Sequence, residues 1–538
     1  MRSGSPKLFF FIKFYRTAII YYMFNKHQTF MNKNMMYGCL CVLTLATGFA
    51  SCSSDEDEKV KPEVNTGYTW TTDGGLKACT GILFNNGKED AAGREIGNGN
   101  DEFVFTGKQT LKKGTYMLKG WVYVADGAEL TIEPGTVIKG DKASKAALIV
   151  ERGGKLFAQG TASAPIVFTS AQAKGNRKPG DWGGIILCGK AQNNQKEMQI
   201  EGGPRTKHGG NDNTDNSGVL SYVRIEFAGY PFMKDKEING LTLGSVGSGT
   251  KLDHIQVSYS NDDSYEWFGG MVNAKYLIAY HGWDDDFDTD NGYSGKVQFG
   301  LVVRDSKIAD TSLSNGFESD NEAGGGAVSP YTKATFSNIT FVGPKLDNQF
   351  QNTQNYITGG NMNPMNGAAL GLFQSAMQIR RNSRLNCYNS VALGYPVGII
   401  LDNQKGDTQG AATKGDLHVN NVWFAGMDLT GVDDNKGKKD VLVTGYNEKS
   451  KPIYDESKKS FSSTWFVKQS GNKVLPNIND LGMQANGYMP TSGSALLTAA
   501  MFTNLDSFFT QVPYIGAFNV GDDWLNGWTN FDPNNTDY

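Results

Sequence analysis

Apolar and polar residues alternate over short runs along most of the chain, and glycine, asparagine and aspartate cut the runs. Trp121-Val-Tyr-Val124, Leu130-Thr-Ile132 and Thr136-Val-Ile138 follow one another across Asp126-Gly and Pro134-Gly turns. The pattern then repeats in Leu148-Ile-Val150, Lys155-Leu-Phe157 and Pro165-Ile-Val-Phe-Thr169, with Val-x-x-Gly-x-x-Leu at 124–130 and again at 150–156. Period-two alternation of this length predicts half-buried strands bounded by turns. Similar runs lie at 181–188, 219–227, 241–243, 334–342, 375–386, 390–402 and 417–424. Three short strands per period leave an apolar face that only the next period can bury. The expected fold is therefore all-β, a right-handed parallel β-helix over 109–429.

The flanks read differently. Residues 67–108 mix short apolar pieces with Gly, Asn and Asp and are expected to form an N-terminal cap, because bare strand edges invite pairing with other chains. Residues 430–538 are expected to form a mixed C-terminal cap, with 494–502 as a helix and an aromatic tail in which Trp524 and Trp528 pack rather than bind sugar. Two polar insertions, 192–217 and 347–367, interrupt the coils and are expected to project beside the acidic residues described below.

Composition supports a turn-rich β protein, with 66 glycines against 16 prolines, and a net charge of −4 gives no sign of a nucleic-acid partner, so none is expected. Residues 1–51 form a signal region: 1–30 is basic and aromatic, either an over-extended gene start or a longer signal, and 31–51 is a lipoprotein signal peptide. The apolar run 35–50 is too short for a membrane span, which needs ~20 residues. Ala50 and Ser51 before Cys52 resemble a bacterial lipobox, so Cys52 is the expected lipidation (palmitate) site, followed by an acidic tether, 52–66. Cys79, Cys188 and Cys387 have no metal-ligand spacing and read as core thiols.

One acidic pattern recurs within 257–322. A shift of 22 residues lays Asp262 on Asp284, Asp263 on Asp285 and Glu266 on Asp288; a further shift of 30 lays Asp288 on Glu318 and Asp290 on Asp320. Stacked coils would bring these carboxylates within an inter-strand spacing of ~4.8 Å, where like charges cannot all stay ionised without a cation or strong hydrogen bonds. Asp286-Phe-Asp-Thr-Asp-Asn-Gly292 supplies hard oxygen ligands suited to Ca²⁺, but the glycine and glutamate places of an EF-hand loop are held by Asn291 and Val297. Asp262, Asp263, Glu266, Asp284, Asp286, Asp288, Asp290, Glu318 and Asp320 are the candidate metal ligands. The alternative is turn chemistry, Asp and Asn capping corners through their own backbones. Tyr265, Trp267, Trp283 and Tyr293 are candidate ligand-binding aromatics. His281, Arg304 and Arg380 are the candidate catalytic bases, each with an ordinary packing or ion-pair alternative.

Gly180-Asp-Trp-Gly-Gly-Ile, Asp262-Asp-Ser-Tyr-Glu-Trp-Phe-Gly-Gly and Asp284-Asp-Asp-Phe-Asp-Thr-Asp, together with Tyr514-Ile-Gly-Ala-Phe518, resemble a family of parallel β-helix outer-membrane lipoproteins of Bacteroidetes-type bacteria. The resemblance implies a lipid-anchored, surface-exposed position at the outer membrane and no particular reaction. A looser likeness, of architecture alone, is to β-helix polysaccharide lyases. The expected role is calcium-assisted binding of a glycan or other extracellular ligand, with an outer-membrane transporter complex as partner. The alternatives are a calcium-dependent polysaccharide lyase or glycoside hydrolase on the same face, and a structural or adhesive surface protein.

Overall fold

The computed structural model describes residues 94–538 apart from 101, 201, 234–235 and 436–438, together with the backbone of Trp70–Asp73, Leu76–Cys79 and Leu83–Phe84. The signal region, Cys52, the acidic tether and the side chain of Cys79 lie outside the described residues.

The chain forms a right-handed parallel β-helix, as the strand pattern predicts. Two long sheets run its length, and their members are parallel from Phe103–Phe105 in one and Arg94–Ile96 in the other. The coils therefore begin inside the expected N-terminal cap. The first sheet carries Leu241–Val246, Tyr265–Gly270, Phe287–Asp290, Phe317–Ser319, Ser375–Ile379 and Val397–Leu401 side by side. Alternation sends Tyr265, Trp267, Phe287 and Phe317 into the core, where they are essentially unexposed. The intervening residues face outward.

The third strand of each early coil, as in Lys155–Gln159, changes character at Gly218–Glu226. That strand pairs with Lys155–Gln159 through its first half and with Ile166–Ser170 through its second. From there on, two faces of the coil are one strand bent at a single residue. The bends are Tyr222, His254, Tyr276, Phe299, Asn338, Asn389 and Asn421, all with positive φ between 47° and 63°. A left-handed backbone is costly for such residues. Stacking offsets the cost: rings of Tyr222, His254 and Tyr276 lie 4.4 Å apart in succession, and Asn421 Nδ2 donates to Asn389 Oδ1 at 2.8 Å.

The C-terminal stretch does more than close the last coil. The helix Phe461–Phe466 lies on the end, with Phe466 stacked on Phe424 at 4.1 Å, and Lys473–Leu475 adds a final strand beside Val419–Ala425. The rest turns back along the flank of the solenoid. Asn421 bonds Ala499, Asn389 bonds Met501, Asn338 bonds Tyr514, Gln256 bonds Asn530 and Lys139 bonds Tyr538. It forms a strap across successive coils, seated on the bend residues. The expected helix at 494–502 is one 3-10 turn, Ala495–Thr498. This segment's backbone is committed to the solenoid instead: the Met501 amide donates to Asn389 Oδ1 at 2.8 Å, and the Ala499 carbonyl accepts from Asn421 Nδ2 at 2.7 Å. Trp528 is fully buried against Tyr222 and His254, so it packs. Cys188 and Cys387 are buried free thiols.

Candidate functional site

Strand register places Glu266 beside Asp288 and Asp288 beside Glu318, as the repeat offsets predict. These outward-facing residues form the floor of a cleft of about 600 Å³. Eight carboxyl groups line it, those of Asp262, Asp263, Glu266, Asp284, Asp285, Asp288, Asp310 and Glu318, and Arg380 is the one cationic side chain among the lining residues.

The corners hold the acids by a backbone device. Asp263 Oδ1 accepts from the Asp285 amide at 2.9 Å, Asp285 Oδ1 from the Asn315 amide, and Asn315 Oδ1 from the Ser375 amide at 3.1 Å. Each corner side chain thus satisfies the next coil's N–H. Turn chemistry and a ligand cluster are therefore compatible in one residue: Asp263 spends one oxygen on the corner and presents the other to the cleft. The corners beyond Trp267-Phe268 and Thr289-Asp290 need left-handed backbone, with φ 74° at Gly269 and 89° at Gly292. A side chain at Gly270, which the offset of 22 lays on Gly292, would collide with the Val246 backbone, and one at Gly292 with the Pro330 carbonyl, which explains why glycines share that column.

Oxygens of Asp263, Glu266 and Asp288 lie within 4.8 Å of one another, as do those of Asp262, Asp263 and Asp284. Burial, then the neighbouring Glu318 and Asp285, push the Asp288 carboxyl well above its usual range. Burial followed by Asp262 and Asp288 does the same to Asp263, and burial followed by Asp284 and Glu318 to Asp285. Asp288 Oδ1 is buried with no hydrogen-bond partner among the described residues. A buried, unpaired carboxylate oxygen beside two more carboxylates fits a hard cation with oxygen ligands.

Other expected residues fall elsewhere. Asp286 turns beneath the cleft, 3.1 Å from Arg304, with neither side chain exposed. Burial raises the Asp286 carboxyl to about 7 against the pull of Arg304. Arg304 also donates to the Asp284 carbonyl at 2.7 Å, so it is a structural ion-pair partner and not an available base. Asp320 is held by Arg380 at 2.9 Å and by Arg381, and Arg380 also grips Glu318. Asp290 lies beside this cluster, outside the cleft lining, where burial and then Asp320 raise it to about 8. His281 stacks on Tyr280 at 3.7 Å near Tyr259, away from the cleft; burial lowers it to about 4. Tyr265, Trp267 and Tyr293 stack inside the solenoid, and Trp283 is buried with Phe227 and Ile308. All four expected binding aromatics are thus buried: the strand period that puts Glu266 outside puts Tyr265 and Trp267 inside, and Trp283 packs in a separate cluster with Met362 of the 347–367 insertion.

Of the two insertions, 347–367 reaches the cleft: Asn366 and Gly367 form part of its wall with Ala368 and Ala369, pinned where the Thr311 amide donates to Ala369 at 3.0 Å. The other, 192–217, covers the far ends of the same strands, with His208 buried against Ser245 and lowered by burial to about 3. Asp285, Asp310 and Asn261 were not among the expected ligands. Asp285 had a signal, since the offset of 22 lays it on Asp263. Asp310 had none; its place depends on a bridge to Leu370 sixty residues away.

A parallel β-helix with an acidic cleft on one face is the class of protein that this fold and site define. The family model for a pectate-lyase-like β-helix domain matches residues 104–466, and the chain belongs to that family. Among solved structures, a pectate lyase, Pel9A, is similar at 13% identity and a TM-score of 0.32, covering 73% of this chain and 88% of that one. The Dettilon tailspike protein is similar at 11% identity and a TM-score of 0.26, covering 70% and 62%. No curated protein matches the chain.

Proposed function

We propose that the cleft binds a divalent cation, Ca²⁺ by its ligand chemistry, and through it an acidic glycan. The observation that carries this reading is the in-register set Asp263, Glu266 and Asp288, with a buried Asp288 oxygen that has no hydrogen bond among the described residues. Those side chains would hold the ion, and the ion would supply positive charge to a sugar carboxylate that the acidic walls alone repel. The walls at Asn366–Ala369 would limit how the chain lies. A polyuronate such as pectate is the first ligand to test, given the name that the family carries.

Binding is favoured over eliminative cleavage. A lyase needs a base beside the sugar's α-proton, and Arg380, the cationic residue of the cleft lining, is already engaged by Glu318 and Asp320. Calorimetry with polygalacturonate is expected to give calcium-dependent binding, abolished by chelator, with no rise in ultraviolet absorbance. A rise in absorbance would establish the lyase reading, release of reducing ends without it the hydrolase, and indifference to all glycans the structural role. We further propose that Cys52 carries a lipid that anchors the protein at the outer-membrane surface, beside a transporter that takes up the glycan. Palmitate labelling lost in Cys52→Ala tests the anchor.

A further inference from the structure

We infer that the cleft holds two divalent cations that share Asp263, an inference that rests on the cation-binding reading above. Asp263 belongs to both groups of converging oxygens, one with Glu266 and Asp288 and the other with Asp262 and Asp284. Apart from Asp263, the two groups use different residues of adjacent coils.

A second observation points to the same place. Asn261, next to Asp262 in the chain, lines the cleft and is only 2% exposed, and neither its amide oxygen nor its amide nitrogen has a hydrogen-bond partner among the described residues. A buried amide left without a partner is costly, and a bound ion would relieve that cost. A neutral amide oxygen beside carboxylates is a common ligand of Ca²⁺, which takes 6–8 oxygens. Asn261 is thus the neutral ligand of the outer ion, with Asp262, Asp263 and Asp284.

Charge favours more than one ion. Eight carboxyl groups face one guanidinium across the lining. A single divalent ion offsets two of those negative charges and leaves most of the excess; a second ion bridged by Asp263 reduces it further without extra proton uptake.

Equilibrium dialysis of the mature chain against Ca²⁺, with bound metal measured by atomic emission, is expected to give two ions per chain. Asp284→Asn and Asn261→Ala should each reduce this to one, Glu266→Gln should also leave one, and Asp263→Asn should weaken both. Far-ultraviolet circular dichroism checks that each variant is folded. One ion per chain in the native protein would overturn the second site while leaving the proposed function standing. Two ions retained in both Asp284→Asn and Asn261→Ala would overturn its location. No bound ion would overturn both this inference and the cation-dependent function.

Discussion

Asp286 and Arg304 meet at 3.1 Å with no exposure on either side chain, and Arg304 also serves the carbonyls of Trp283 and Asp284. The pair fixes the corner from which Asp284 and Asp285 enter the cleft. Removing one partner strands the other charge in a dry interior, which costs about 3–5 kcal/mol. Arg304→Ala should therefore lower the unfolding free energy by about that amount in denaturant titration, and Asp286→Ala added to it should cost less than the two single changes summed. Strict additivity would mean that the pair is not coupled. Glu266 stands in contrast: it lies on the outer face and accepts from Asn239, so Glu266→Gln should weaken calcium binding at least tenfold by calorimetry while leaving the melting temperature without calcium close to that of the parent.

At the scale of elements, the C-terminal strap matters most after the coils themselves. It runs over the bend column, where Trp528 meets the rings of Tyr222 and His254 at 5.9 and 5.6 Å. At the last residue, the Tyr538 hydroxyl donates to the buried Glu226 at 2.7 Å, and the ring lies under Arg177 at 4.8 Å. A strap of this kind ties early coils to late ones, so a solenoid that would otherwise open coil by coil gains cooperativity. Trp528→Ala should cost about 3–5 kcal/mol, as for other large buried rings, and should split a single unfolding transition into two in calorimetry. A single sharp transition at reduced temperature would show that the strap adds stability without coupling the coils.

For the whole molecule, the acidic cleft sets the response to pH. Burial and mutual repulsion raise the carboxyls of Asp263, Asp285, Asp288 and Asp290 in the folded chain, Asp290 to about 8, whereas the unfolded chain releases these protons near pH 4. Between those limits the native state holds more protons than the unfolded state, so stability falls as pH rises. Without divalent ions, the melting temperature should drop from pH 5 to pH 8. A bound cation replaces the protons, so the gain on adding calcium should be larger at pH 8 than at pH 5. A calcium gain independent of pH would separate the cation from these carboxyls.

The repeat offsets determined the solenoid and the column Glu266, Asp288, Glu318, because a parallel coil converts a fixed sequence shift directly into strand register. Local order also determined that carboxylates would crowd at the corners. Which neighbours face the cleft was not legible in residue type: Trp267 and Trp283 look like sugar platforms in the text and are core in the fold. The same holds for Arg304, whose partner lies beneath the corner, and for Asp310, brought in by a long-range bridge. The strap was equally hidden, since 499–538 has no strand or helix period and takes its shape from the coils it crosses. Repetition fixes what stacks on what, whereas side-chain direction and long-range closure depend on the assembled surface, which exists only once the coils have formed.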